Sequence, residues 1–132
     1  MQIIIHQNKL LKIAEIVSDT IFLNALEDGL DLLRNIYYDQ FDSIILHQEN
    51  ISPLFFNLKT GLAGEILQKF SNYRMRLVIV GDYSQYKSKS LQDFIFESNK
   101  GKLINFLPTK EAALEALVRL ALVRKHFFYN MR

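Results

Sequence analysis

Cysteine and tryptophan are missing from all 132 residues, and only two prolines and five glycines are present. Without cysteine there is no disulfide, no thiolate metal ligand and no cysteine nucleophile. The three histidines, His6, His47 and His126, lack ligand-like spacing, so neither a metal site nor a metal cofactor is expected. No apolar run approaches the roughly eighteen residues of a membrane span. The opening MQIIIHQNKLLKI holds three isoleucines in a row before His6, too short a core for a signal peptide. A cytoplasmic location is the expectation. A GxSxG elbow, a Walker loop and a GxGxxG turn are also missing, so no named reaction and no organic cofactor is signalled.

What remains is an ordinary globular composition, 49% hydrophobic and 23% charged, in a length that suits one domain over residues 1–132. The net charge of +2 conceals an asymmetry. Residues 1–66 carry four basic side chains against nine acids, and residues 67–132 carry twelve against five. This polarity either steers a charged partner or disappears because the two halves interleave on folding.

Hydrophobic periodicity gives the order of elements. QIIIHQ and LLKIAEIV flank Asn8-Lys9 and predict a tight hairpin. After the capping residues SDT, Phe22, Leu26, Leu30, Leu33 and Tyr37 predict one apolar helix face, weakened at Gly29. DSIILHQENI predicts a strand that turns polar at His47, and Leu62, Ile66, Phe70 and Tyr73 line a second helix. RLVIVGD is a continuous apolar run, as in a covered parallel strand. A helix through Leu91, Phe94 and Ile95, the strand KLINFLP and a last helix capped by Thr109 complete the chain. The expected order is β-β-α-β-α-β-α-β-α, an α/β domain with a mixed sheet of about five strands and four helices.

That order resembles the STAS fold of anti-sigma-factor antagonists, in which an Asp-Ser-Ser-Gly-Leu stretch starts a helix after a strand. Thr60-Gly61-Leu62 stands where that family has Ser-Gly-Leu, which puts Thr60 at its phosphorylated serine. His47 stands in place of the strand Asp, and Leu58 and Lys59 replace the Asp and the first Ser. The stretch FFNLKTGLAGEILQKFSNYRMRLVIVGDYS resembles more closely the signature of a bacterial family, domain of unknown function 4180. The STAS likeness implies a non-enzymatic regulatory or protein-interaction module with an unknown protein partner.

Two candidate sites follow. Asn57 is a suitable N-cap, which would place Thr60 in the first turn of a helix, beside Lys59 and Gly61, where an anion or a partner can be held. The plainer reading is that Asn57 and Thr60 only cap, and Gly61 only allows close packing. The second candidate is the loop after RLVIVGD. There Asp82, Tyr83 and Ser84, with Tyr86 and Lys87, would gather near His47 beyond the strand ends. An acid–base set from Asp82 and His47 is the competing reading, a small-molecule binder or enzyme in the same cleft. RKHFFYNMR at residues 124–132 mixes rings with basic groups and suggests either ordinary core packing or a homodimer through the last helix, rather than nucleic-acid or membrane binding.

Overall fold

The computed structural model describes the backbone of residues 1–130 and side chains through Leu122. The chain begins with β1 (Gln2–Gln7) and β2 (Lys12–Val17), an antiparallel pair in which Ile4 lies opposite Glu15 and His6 opposite Ile13. Three crossovers then add β3 (Ser43–His47), β4 (Arg76–Val80) and β5 (Ile104–Leu107), all parallel to β2. Sheet order equals chain order, β1-β2-β3-β4-β5. The expected mixed five-stranded α/β sheet is therefore present. Its helices number five among the described residues: α1 (Leu26–Tyr38), the short α2 (Pro53–Phe56), α3 (Leu62–Asn72), α4 (Lys89–Lys100) and α5 (Lys110–Asn130).

A strand order that never reverses puts all right-handed crossovers on one face of the sheet. Leu33 and Ile36 of α1, Ile66 and Phe70 of α3, and Leu91 and Ile95 of α4 join Ala14, Ile16, Ile44, Leu46, Leu77 and Ile79 in one core. The other face is covered by α5, whose Ala113 and Leu117 pack on Ile13, Ile45, Val78 and Val80. Both faces of β3 and β4 are thus dry, which explains their unbroken apolar sequence.

Three expectations need correction. The first helix begins at Leu26, not after SDT, because residues 18–23 are held elsewhere. Asn50 Nδ2 donates to the carbonyls of Ser18 (2.7 Å) and Thr20 (3.0 Å), and Leu23 bridges Ile51. The Asp28 carboxylate then accepts from the N–H groups of Asn24 and Ala25 and starts α1. The buried face becomes Gly29, Leu32, Leu33 and Ile36, while Tyr37 is exposed. Gly29 meets Ile66 of α3, where an added Cβ would sit 3.2 Å from a methyl, so it sets the close approach of the two helices.

Asn57 does not cap α3. Its Oδ1 accepts from Lys59 N–H (3.2 Å) and caps a 3-10 turn, Leu58–Thr60; α3 starts only at Leu62, after Gly61 at φ +78°. Thr60 therefore lies before the helix rather than in its first turn. The hairpin link is Asn8–Leu11, longer than the expected two residues, and is closed by Asn8 Oδ1 accepting from the N–H groups of Leu10 and Leu11. The dimer expectation for residues 124–132 falls outside the described side chains.

Candidate functional site

At the carboxyl ends of β3 and β4 the chain makes two polar connections that lean on each other. After His47 a 3-10 turn, Gln48–Asn50, leads to Ser52, whose Oγ accepts from Leu54 N–H and caps α2. After Val80 comes Gly81, over which the Gln48 side chain lies so closely that any Cβ there would overlap it. Glycine is required by this contact and not by its dihedrals. Gln48 Nε2 donates to the Tyr86 hydroxyl (2.9 Å), and Tyr86 stacks on Phe56 with ring centroids 5.3 Å apart.

The 81–87 loop is itself well pinned. The Asp82 carboxylate accepts from Ser84 N–H (3.0 Å) and Ser84 Oγ (2.6 Å), and these bonds hold the exposed Asp82 below the usual carboxylate range. Tyr83 turns inward: its hydroxyl donates to Ile79 O (2.7 Å) and its ring meets Phe56 and Phe106. Burial, and then neighbouring Tyr86, push the Tyr83 phenol far above its ordinary value. Tyr83 thus anchors the loop through its hydroxyl and ring.

Two open hollows result, and Tyr86 forms a wall of both. The first, about 490 Å³, is lined by His47, Gln48, Glu49, Gly81, Asp82 and Gln85 among others. The second, about 540 Å³, is lined by Asn57, Lys59, Lys87, Ser88 and Ser90. The formally charged lining residues of the first are acids, Glu49 and Asp82; those of the second are Lys59 and Lys87. Thr60 and Gly61 border neither hollow. The exposed Thr60 hydroxyl is occupied locally, facing the carbonyls of Leu54 (2.7 Å) and Asn57 (2.9 Å) and accepting from Leu62 N–H (3.2 Å). The structure thus joins His47 to Asp82, and Asn57 to Lys59, with Ser84 beside Asp82.

Behind His47 lies a cluster that the spacing of the histidines concealed. On the α5 face, Glu15 Oε2 lies 2.7 Å from His47 Nε2 and Glu15 Oε1 lies 2.8 Å from His6 Nε2. The Glu15 side chain is only 3% exposed. Burial alone pushes its pKa up. The two histidine bonds, with the charges of His47 and Lys110, outweigh this and leave it below the ordinary carboxylate value. An ionised carboxylate only accepts, so each Nε2 carries its hydrogen toward Glu15. His6 and His47, both half-buried, are therefore partners through one carboxylate. Among the described residues no group of His, Cys, Asp or Glu is placed to hold a metal ion.

The signal was in KIAEIV. A carboxylate at the centre of a strand with apolar neighbours on both sides must find a buried partner, and histidines stood in the strands that flank it.

The fold and this face define an α/β protein with an open polar surface at its strand ends. The chain belongs to the family described as domain of unknown function (DUF4180), which matches residues 8–117. No curated protein and no solved structure matches it. No helix among the described residues is long and apolar enough to cross a membrane.

Proposed function

We propose that this domain is a non-enzymatic recognition module, a regulatory element that binds a protein partner across the two hollows and the Asn57–Gly61 segment. The observation that carries the reading is the pair of shallow, oppositely charged hollows on either side of Tyr86. A crevice deep enough to exclude water forms in open α/β sheets where strand order reverses, and here it never does. A partner segment with a basic group at Glu49 and Asp82 and an acidic group at Lys59 and Lys87 complements this face. The STAS-like element order agrees with such a role in the bacterial cytoplasm. Phosphorylation of Thr60 fits as an extension: it removes the hydroxyl hydrogen that faces Leu54 and Asn57 and would open the turn before α3.

The test is affinity capture from native-host lysate by the wild type, Asp82→Lys, Lys59→Glu/Lys87→Glu and the remote control Lys100→Glu. A partner kept by wild type and control but lost by Asp82→Lys and by Lys59→Glu/Lys87→Glu supports the module. A partner kept by all four, or none kept by any, overturns it.

One observation favours a second reading, proton transfer on a small molecule. His47 is oriented by a buried carboxylate and lines the same hollow as Asp82. A metabolite that raises the melting temperature of wild type but not of Asp82→Asn would select it.

A further inference from the structure

β1 is an edge strand of the sheet, and β2 is the element with which it makes its substantial contacts among the described residues. Edge strands in soluble proteins are usually blunted by a charge, a proline or a bulge, because their outer N–H and C=O groups invite another strand. β1, QIIIHQ, carries no charged side chain and no proline, and it pairs with β2 residue for residue without a bulge. Ile3 and Ile5, on the face of Ala14 and Ile16, are 41% and 54% exposed. A strand rich in β-branched residues, bare along one edge and apolar on an exposed face, is a pairing surface.

The sequence of the strand identifies the occupant. Strands that extend one continuous sheet through a two-fold axis must keep each face on its own side, so opposed residues share parity. An antiparallel pairing centred on Ile4 sets Ile4 opposite its own copy, and Ile3 opposite Ile5 twice over. All three central positions then match apolar with apolar. A register centred on Ile5 would set Ile3 against Gln7 and Ile4 against His6 instead. We infer that β1 is the contact between two copies of this chain, joined antiparallel about a two-fold axis at Ile4 into a ten-stranded sheet. The contact is isologous and uses up the β1 edge of each copy, so it closes at two. A pair of six-residue strands with six isoleucines between them lies at the small end of stable interfaces, near or below about 1,200 Å² of total buried surface. The dimer therefore exchanges with monomer on dilution.

Because the chain has no cysteine, single cysteines report the register. Directly opposed residues of an antiparallel pair have Cα atoms about 4.5–5.5 Å apart, within disulfide reach, whereas Ile3 and its own copy would be about 8 Å apart. The full chain is examined by sedimentation equilibrium across a dilution series, with mild oxidation of Ile4→Cys and Ile3→Cys. The expected results are a mass that rises to twice the monomer with concentration, a covalent dimer from Ile4→Cys and little from Ile3→Cys. Ile3→Lys/Ile5→Lys, which alters exposed side chains only, stays monomeric while keeping its far-ultraviolet spectrum. A wild type monomeric throughout, a dimer that survives the double lysine variant, or equal cross-linking at positions 3 and 4 overturns the inference.

Discussion

Glu15 decides how the parallel part of the sheet is tied to its antiparallel edge, since its two oxygens reach His6 on β1 and His47 on β3. Replacing it by Gln keeps the shape but removes the charge that both histidines face. A hydrogen bond to a charged group contributes about 1.5–3 kcal/mol, so Glu15→Gln should lose about that much in urea unfolding at neutral pH. The pH dependence has a definite sign. Burial raises the Glu15 pKa, but the histidine bonds and the charges of His47 and Lys110 bring it below its ordinary 4.5. A folded pKa below the unfolded one gives stability that is fully present above 4.5 and lost as pH falls through the lowered value. The gap between wild type and Glu15→Gln should be wide at neutral pH and narrow on acidification past that point; a gap constant with pH would refute this account. Glu15 was legible in KIAEIV as a charge at a buried strand centre. Its partners were not, because His6 and His47 are far apart in sequence and meet only through the β1–β2–β3 register.

The connections between elements depend on two glycines for different reasons. At Gly61 an added Cβ meets nothing, yet φ is +78°, so the cost is purely that of a left-handed residue. Gly61→Ala should destabilise by about 1 kcal/mol, and Gly61→Asn by distinctly less, because Asn tolerates that conformation. Equal losses in thermal unfolding would show that the dihedral is not the cause. At Gly81 the dihedral is not at issue, and any Cβ meets the Gln48 side chain. Gly81→Ala should displace Gln48 from Tyr86 and cost about 1–3 kcal/mol, with loss of the nuclear-magnetic-resonance contacts between the two side chains. Periodicity found every strand and every long helix, because burial imposes it. It missed the start of α1 and the turn Leu58–Thr60, where local capping competed with long-range bonds. SDT and Asn57 have the composition of helix starts, but Asn50 draws Ser18 and Thr20 into the loop, and Asn57 spends its side chain on Lys59.

At the scale of the whole molecule, strand order and the last helix act in opposite senses on the charge asymmetry of the sequence. Had the strands interleaved, the acidic first half and basic second half would have cancelled. Strand order instead equals chain order, so β1 to β3 occupy one side of the sheet and β4 and β5 the other, but α5 of the basic half lies across Ile13 and Ile45 of β2 and β3 and brings Lys110 toward Glu15. The strand pairing proposed for two copies lies at the β1 edge of that sheet. β1 itself has no Asp, Glu, Lys or Arg, so its contact rests on backbone bonds and isoleucines, whereas salt screens contacts between exposed charges: the Debye length falls from about 30 Å at 0.01 M to about 10 Å at 0.1 M. Dimerisation through β1 should therefore not weaken as ionic strength rises over that range. A contact made by joining the acidic side of one copy to the basic side of another would weaken instead. Capture of a partner by Lys59 and Lys87 should weaken with salt as well, because those attractions are exposed and equally screened. Sedimentation in a salt series then separates the two kinds of association by the direction of the change. A dimer that falls apart as salt is added must be held by opposite charges, and its interface would have to lie away from β1.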